Sequence, residues 1–261
     1  MHGRKGFLLN GTNYRTGGTP VAVFPEEGLN AMTSETCIVF FIKHPESDRV
    51  KTRLAAALGN DFVRNLYRLF VADSLEMLEE LPCDSLMACD PQSSLEQYTA
   101  WLGPGREYLL QSGNGLGERM SDAFVQAFTR GYSRVLLLGS DVPDLPYGVL
   151  ERAFTVLSGG ATVIGPSQDG GYYLIGFNKD AFTEEVFRGI SWSTPTVFRE
   201  TRSRLRAQRL TTHILPVWSD VDTKDDLAAL YQRNRHTHFA RSGTMQYLAR
   251  HWEGTNGESR L

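Results

Sequence analysis

Short apolar runs that alternate with helical segments are the feature that most constrains the fold of this chain. The first run, CIVFFI at 37–42, contains only apolar residues, several of them β-branched or aromatic, which is typical of a strand buried on both faces. In residues 61–81 apolar side chains recur at steps of three and four, as on one face of a helix. Later strand-like runs occupy 85–89, 107–111, 134–141, 161–165, 172–177 and 212–217. The alternation predicts an α/β fold with a Rossmann-like, doubly wound and mostly parallel sheet.

Changes in residue composition and in hydrophobic periodicity divide the chain into three parts. Residues 1–34 are rich in Gly, Thr and Asn and lack a period, which predicts a mobile extension; either Met1 or Met32 can be the natural start. Residues 35–234 are expected to form a single domain, and 235–261 a tail with one helix. Further helices are expected at 95–101, 118–130, 149–157, 181–187, 195–210 and from 224 onward.

Composition excludes several classes of protein. The 27 Lys and Arg against 30 Asp and Glu give a net charge of −3, which argues against a dedicated nucleic-acid binder. Three cysteines without a CxxC pair disfavour a disulfide framework and a structural zinc site, so a cytoplasmic location is expected. The longest apolar run is far shorter than the ~18 residues of a membrane span, and no secretory signal pattern is present. We expect no membrane partner, and leave assembly into a homo-oligomer open.

In an open parallel sheet, ligands bind at the carboxyl ends of the strands. This directs attention to the loops at 43–54, 111–119, 139–146 and 165–171. The first loop carries Lys43, Arg49, Lys51 and Arg53. Several cations between a buried strand and a helix suit a di- or triphosphate, although a solvated charged loop would have the same composition.

The second loop, SGNGLG, has glycines at 113, 115 and 117. Glycine permits a positive φ and a close approach of the backbone to a flat ligand, so Gly115 and Gly117 are candidate nucleotide contacts. Glycine-rich turns between a strand and a helix are common, and the loop alone does not establish a nucleotide site.

Carboxylates follow three of the predicted strands. Asp141 comes directly after the most apolar strand and is the first candidate for a divalent metal ligand, whereas Asp144 is equally explained as a turn or helix-cap residue. Asp169 precedes Gly170 and Gly171, a sequence that also suits a hairpin turn. If its strand neighbours that of Asp141, both acids face one cleft.

The segment SDVDTKDD at 219–226 combines two kinds of acid. Thr223 and Asp226 have the spacing of a capping box at the start of a helix, with Asp in place of the usual Glu or Gln. Capping does not explain Asp220 and Asp222, which are candidate metal or supporting groups. Trp192 is a candidate for stacking on a sugar or a base, although a core tryptophan is the commoner case.

Six ordered segments resemble the successive motifs of a bacterial family of GT-A-type nucleotide-diphospho-sugar transferases, some of them associated with radical-enzyme and arsenosugar biosynthesis clusters. The segments are KHPESDRVKTRLAAALG, GLGERM, LLLGSDVPDLP, GPSQDGGYYLIGF, GISWSTPTVF and SDVDTKDDL. The resemblance spans about 36–232. It implies a Rossmann-like sheet that binds a nucleotide in its N-terminal half.

The resemblance also implies roles for single residues. Lys51 and Arg53 match the phosphate-contacting loop, Asp141 matches the metal-binding acid, and Asp169 with Gly170 matches the segment that faces the acceptor or donor sugar. One residue departs from the family pattern, because Asp48 stands where the family usually has glycine. An acid beside a phosphate loop weakens anion binding unless it points away.

The residues and the resemblance together lead us to expect a glycosyltransferase that depends on Mg²⁺ or Mn²⁺. It would move a sugar from a nucleotide-diphosphate donor to a small-molecule acceptor, with metal ligands Asp141 and Asp222 and catalytic base Asp169. The alternative is a nucleotidyltransferase that releases pyrophosphate, similar to the guanylyltransferases of the molybdenum-cofactor and phospholactate pathways. The GGxxxR loop expected for that reaction is absent after the first strand. A third interpretation is a non-catalytic module that binds nucleotide sugars.

Overall fold

Seven strands form one sheet in the computed structural model, which describes residues 35–47 and 50–252. The strands are β1 (Thr36–Ile42), β2 (Asp84–Cys89), β3 (Glu107–Leu110), β4 (Arg134–Gly139), β5 (Thr162–Pro166), β6 (Tyr172–Asn178) and β7 (Thr212–Ile214). The α-helices are α1 (Thr52–Leu58), α2 (Asn60–Glu79), α3 (Leu95–Leu102), α4 (Leu116–Thr129), α5 (Tyr147–Ser158), α6 (Val197–Ala207), α7 (Lys224–Asn234) and α8 (Gly243–His251). The extension predicted for 1–34, and Arg49, lie outside the described residues.

The strand order is β3-β2-β1-β4-β6-β5-β7. Strand β6 is antiparallel to both of its neighbours, and the other pairings are parallel, which confirms the predicted mostly parallel, doubly wound sheet. From β1 the chain runs outward to β3 and then returns to β4 on the other side of β1. The order therefore reverses between β1 and β4, and a crevice opens at the carboxyl ends of these two strands.

Both faces of the sheet are covered, as the apolar strands require. In β1, Ile38 and Phe40 pack into the core on one face, while Cys37 and Val39 pack into the core on the other. Consecutive side chains of a strand point to opposite faces, so an uninterrupted apolar run needs two cores. Packing on both faces holds the central strands in place, and it therefore fixes the positions at which the loops after them begin.

Three local expectations were wrong in detail. The helix expected at 181–187 is two short 3₁₀ segments, Lys179–Ala181 and Glu184–Phe187. The strand expected at 212–217 ends at Ile214, shortly before Pro216, which has no N–H to donate. Helix α1 was not expected, and it is separated from α2 by Gly59, whose φ of 88° breaks the helical course.

The C-terminal helix α8 packs on α2. The buried carboxylate of Asp73 accepts the backbone N–H groups of Gly243 and Thr244, both at 2.9 Å, at the positive end of this helix. Leu248 and Trp252 are buried beside it. Over 35–47 and 50–252, none of the helices combines the length and apolar character needed to span a bilayer.

Candidate active site

A cavity of about 800 Å³ opens where the carboxyl ends of β1 and β4 meet. This volume is in the range that suits a small ligand of nucleotide size. The charged residues of its wall are Lys43, Lys51, Arg53, Arg119, Asp90, Asp141, Asp169, Asp220 and Asp222. Four cations against five carboxylates give 4 − 5 = −1, so the described wall is close to neutral despite its high charge density.

Lys51 joins the two acids that were predicted as metal ligands. Its Nζ contacts Asp141 Oδ1 and donates a hydrogen bond to Asp222 Oδ1 at 2.9 Å. Arg53 donates to the other oxygen of Asp222 at 2.7 Å. The side chain of Lys51 is only 3% exposed, whereas that of Asp141 is 52% exposed, so the ammonium lies beneath the carboxylate.

The backbone of Lys51 has the left-handed values φ 47° and ψ 47°. A side chain in this region costs roughly 1–3 kcal/mol, and such residues concentrate at functional sites. Lys51 is also the N-cap of α1, which starts at Thr52. The chain thus turns sharply at Lys51, and this turn directs its side chain inward to the acids.

Charge pairing determines the protonation states of Lys51 and Asp222. Burial alone would lower the pKa of Lys51, but the carboxylates of Asp141 and Asp222 raise it well above its ordinary value. Burial likewise opposes ionisation of Asp222, yet Lys51 and then Arg53 hold its pKa below the ordinary value. Lys51 and Asp222 are therefore both charged near neutral pH.

The segment before α7 brings its acids to the cavity. The N–H of buried Val221 donates to the carbonyl of Asp141 at 3.0 Å. This bond fixes the backbone between Asp220 and Asp222. The predicted capping box is confirmed: Asp226 Oδ2 accepts from the N–H of Thr223 at 2.8 Å and also from that of Asp222 at 3.1 Å. Burial and the charges of Asp169 and Asp222 raise the pKa of Asp220 to about 6.

A buried tyrosine, Tyr67, supports the part of the cavity wall that contains Asp141. The hydroxyl of Tyr67 accepts the N–H of Lys43 at 3.0 Å and shares a hydrogen bond of 2.9 Å with Ser140. Burial and the nearby charge of Asp141 raise the pKa of Tyr67 to about 12, so the hydroxyl stays neutral. The ends of β1 and β4 are joined through this side chain. Its position on α2 gave no sequence signal beyond the helical period.

The opposite wall contains an ion pair that was not predicted. Arg119 on α4 contacts Asp90 at 2.9 Å, and the Asp90 side chain is nearly buried. Gln111 lies beside them and donates to the carbonyl of Ala88 at 2.8 Å. Asp90 follows β2 as Asp141 follows β4, and this parallel in the sequence could have identified it.

The glycine-rich loop forms the start of α4. A Cβ at Gly117 would lie 2.9 Å from the Trp192 ring and 2.8 Å from the carbonyl of Phe187, so this glycine permits close packing. A Cβ at Gly115 would meet no atom of the described residues within 4 Å. Neither glycine forms part of the cavity wall, and their contact with a nucleotide stays a prediction.

Asp169 lies in a tight turn between β5 and β6. Its Oδ1 accepts the N–H of Gly171 at 2.8 Å, and the residue is exposed at the cavity. Gly170 has φ 90°, and a Cβ there would lie 2.2 Å from the carbonyl oxygen of Pro195. Gly170 therefore allows the turn to pack on the segment before α6. Gly171 is in the cavity wall and Gly170 is not.

Aromatic side chains line the side of the cavity that the 190–196 segment covers. Trp192 and Tyr172 both line the wall, and their rings meet edge to face with centroids 6.4 Å apart. Ser193 next to Trp192 has φ 64°. Glu200 fixes this segment by accepting from the N–H of Ser191 at 2.8 Å and the hydroxyl of Thr196 at 2.6 Å.

Asp144 belongs to a separate buried network. Arg233 donates to both of its carboxylate oxygens, at 2.7 and 2.9 Å, and Asn234 and Trp218 donate at 2.6 and 3.1 Å. These bonds tie the loop after β4 to α7. They satisfy the carboxylate fully, which supports a structural role rather than metal binding.

Most of the predicted site residues converge on the cavity. Those in its wall are Lys43, Lys51, Arg53, Asp141, Asp169, Gly171, Trp192 and Asp222, and those outside its wall are Gly115, Gly117 and Gly170. The individual roles of these residues stay predictions.

The cavity offers a small set of carboxylate ligands for a hard divalent cation. Among the described residues, no group of three or more His, Cys, Asp or Glu could hold a metal ion. Asp141 and Asp222 nevertheless converge on one cation, the Lys51 ammonium. Mg²⁺ typically takes one or two carboxylates together with phosphate oxygens and water, so the pair fits a metal that arrives with a phosphate ligand.

Comparisons with known proteins agree with this architecture. Residues 74–194 match the family described as "Uncharacterized protein conserved in bacteria (DUF2064)". The chain is 45% identical to the crystal structure of a "putative nucleotide-diphospho-sugar transferase" from Desulfovibrio desulfuricans G20, with a TM-score of 0.81 over 83% of this chain and 95% of that chain. No curated protein matches the chain.

A more distant structure shares the fold alone. Rv0371c from Mycobacterium tuberculosis H37Rv is 14% identical, with a TM-score of 0.52 over 77% of this chain and 100% of that chain. Its complex with manganese gives 14% identity and a TM-score of 0.50 over 76% of this chain and 99% of that chain. The resemblance of the motifs is thus confirmed at the level of family and fold: the chain belongs to the DUF2064 family and has a nucleotide-diphospho-sugar transferase-like fold.

Proposed function

We propose that the protein is a metal-dependent glycosyltransferase that uses a nucleotide-diphosphate sugar as donor and a small molecule as acceptor. The observation that carries this proposal is the meeting of two cations and two carboxylates at one end of the cavity. Lys51 and Arg53 both contact Asp222, and Lys51 also contacts Asp141. A diphosphate and a divalent cation need these two kinds of group side by side.

The charged residues and the aromatic residues of the cavity would have different tasks. Lys51 and Arg53 would bind the diphosphate, and Asp141 with Asp222 would hold the cation. The bound cation would supply electrostatic stabilisation for the charge that builds on the departing nucleoside diphosphate. Trp192 and Tyr172 offer a flat aromatic surface for the donor sugar or the acceptor, since aromatic rings pack well on the apolar face of a sugar.

Asp169 is the proposed catalytic base. Its Oδ1 is held by the N–H of Gly171, which fixes the carboxylate and leaves Oδ2 available to accept the proton of the acceptor hydroxyl. The acceptor oxygen would then attack the anomeric carbon of the sugar, and the bond to the nucleoside diphosphate would break. The electron pair of that bond leaves with the diphosphate.

Turnover assays test the reaction class directly. The protein is incubated with Mn²⁺ and a panel of nucleotide sugars plus hydroxyl-bearing acceptors, and separately with nucleoside triphosphates plus sugar phosphates. Manganese is the first choice because Rv0371c, which shares the fold, forms a manganese complex. Release of nucleoside diphosphate supports the proposal. Release of pyrophosphate from a triphosphate instead would replace it with a nucleotidyltransferase, and tight donor binding without turnover would favour a binding module.

A double substitution tests the phosphate contacts. Lys51→Ala with Arg53→Ala should weaken nucleoside diphosphate binding tenfold or more, since each charged hydrogen bond contributes about 1.5–3 kcal/mol. Binding of the nucleoside alone should change little, because the lost contacts are to phosphate. Arg202→Ala with Arg206→Ala, two exposed cations of α6, is the matched control and should change neither affinity. Equal weakening of both ligands would contradict the assignment.

A further inference from the structure

In the Lys51–Asp141–Asp222 cluster, one ammonium is already paired with both carboxylates. Lys51 Nζ lies between the two acids, on the oxygens that a cation from solution would take. Arg53 covers the remaining oxygen of Asp222. A divalent cation in the same position would meet the ammonium at contact distance, and this repulsion would oppose its binding.

The surroundings of Lys51 decide when the ammonium can leave. Lys51 is buried, and its ammonium is paired with the carboxylates of Asp141 and Asp222. A buried ammonium without a partner is strongly unfavourable, so a metal ion alone cannot displace it at low cost. A diphosphate in the cavity changes this balance, because its oxygens offer new partners within reach of a flexible four-carbon side chain.

The charge of the cavity wall points the same way. The described wall has a formal charge of −1, so a bare diphosphate would add negative charge to a region with no positive excess. A diphosphate that carries its own divalent cation avoids this. The metal can then take the carboxylates while Lys51 moves to the phosphate oxygens, and all the charges remain paired.

From this geometry we propose that Lys51 is a tethered cation which occupies the metal position between Asp141 and Asp222 and gives it up only to a metal-bound diphosphate. The proposal rests on the proposed function for the identity of the two metal ligands. It implies positive coupling, in which metal and diphosphate each bind weakly alone and tightly together. It also makes a prediction of unusual sign: removing Lys51 should tighten the binding of free metal.

Titration with Mn²⁺ alone, without nucleotide, tests this prediction. Free Mn²⁺ is followed by electron paramagnetic resonance in the presence of the wild-type chain, Lys51→Met and Lys51→Gln. An opposite charge at this range shifts carboxylate affinity for a proton by about 10- to 1000-fold, so we expect Mn²⁺ to bind the neutral variants at least about tenfold more tightly. Two substitutions are used, and thermal unfolding and circular dichroism identify a variant that fails to fold.

The matched control is Arg53→Met. It removes the same charge from the same carboxylate, but Arg53 is 66% exposed and leaves Lys51 between the acids. Its effect on Mn²⁺ affinity should be at most about threefold, because solvent screens an exposed charge. Equal tightening by Arg53→Met and Lys51→Met would show that overall charge, rather than occupation of the metal position, governs binding, and would overturn the proposal.

One further substitution separates this proposal from the proposed function. Asp141→Asn is introduced into the wild type and into Lys51→Met, and in the latter it should abolish the gain in Mn²⁺ affinity. If Lys51→Met binds Mn²⁺ no more tightly than the wild type while Asp141→Asn still weakens Mn²⁺ binding, the tethered-cation role fails and the metal site stands. If Asp141→Asn has no effect in either background, the metal site itself is wrong and both proposals fall.

Discussion

Asp141 and Asp144 leave the same strand three residues apart, yet the structure treats their carboxylates in opposite ways. The Asp141 side chain is 52% exposed at the cavity, and its ion-pair partner among residues 35–47 and 50–252 is Lys51. The Asp144 side chain is 1% exposed and accepts four hydrogen bonds from Arg233, Asn234 and Trp218. A carboxylate with every acceptor position satisfied by buried donors cannot take a ligand, whereas a half-exposed carboxylate paired with one lysine can exchange that partner for a ligand.

The comparison shows why residue type and loop position do not define a site. Both acids are in GSDVPDLP, and both follow the most apolar strand. The difference is made by α7, about ninety residues later in the chain, which supplies Arg233 and Asn234 to Asp144. Distant sequence therefore decides which of two neighbouring acids is structural.

The largest expected effect comes from Asp141→Asn. We expect turnover to fall about 10²- to 10³-fold, as when one group that stabilises transition-state charge is lost, and donor binding to stop responding to Mn²⁺. The free energy of unfolding should change by less than about 1 kcal/mol, because the side chain is half exposed. Activity assays, calorimetric titration with Mn²⁺ and urea unfolding measure the three quantities. A destabilised variant whose metal response is intact would reverse the roles of the two acids.

The second largest effect is expected for Asp144→Ala, which should lower stability and leave metal binding unchanged. This change leaves buried donors of Arg233, Asn234 and Trp218 without their acceptor, and we expect a loss of about 3–5 kcal/mol in the free energy of unfolding. Asp141→Ala, the same truncation three residues away, is the control. At a temperature where Asp144→Ala is folded, its Mn²⁺ affinity should match the wild type. A loss below about 1 kcal/mol would mean that the network contributes little.

The sequence predicted the fold and the strand ends that line the candidate site, because both depend on local signals. The apolar runs at 37–42 and within 134–141 predicted strands, and their alternation with helices predicted a mostly parallel sheet. The order of the strands and the antiparallel direction of β6 were not predicted. The ion pair of Arg119 with Asp90, the support by Tyr67 and the pairing of Lys51 with Asp222 were not predicted. Each joins residues far apart in sequence, and no period or spacing in one chain reports such a contact.

Glycines extend the comparison from carboxylates to backbone. Gly170 has a positive φ and no room for a Cβ against Pro195, whereas Gly115 has an ordinary extended φ of −143° and open space. Gly170→Ala should cost about 2 kcal/mol of unfolding free energy and displace the Asp169 turn, and Gly115→Ala should cost less than about 0.5 kcal/mol. Urea unfolding of both variants checks this order. Equal effects would mean that the 167–171 turn relaxes without cost.

Asp220 is an intermediate case between the two acids, and it has the smallest expected effect. Asp220 is partly buried, whereas Asp144 is fully buried, and among the described residues no cation forms an ion pair with Asp220. Burial and the charges of Asp169 and Asp222 raise its pKa from 3.8 to about 6. The folded chain therefore binds a proton more tightly than the unfolded chain, and this group's contribution to stability falls as the pH rises from about 4 to about 6.

Asp220→Asn removes that penalty without changing the shape of the side chain. We expect the variant to be more stable than the wild type by about 1 kcal/mol at pH 7.5, since solvent reaches part of the carboxylate, and to equal it near pH 4, where both carry a neutral group. Urea unfolding across this range measures the difference, with Asp225→Asn at an exposed position of α7 as the control. A variant that is less stable at pH 7.5 would show that the Asp220 carboxylate has a stabilising partner, as that of Asp144 does. Asp220 would then be a structural acid like Asp144 and not an intermediate case.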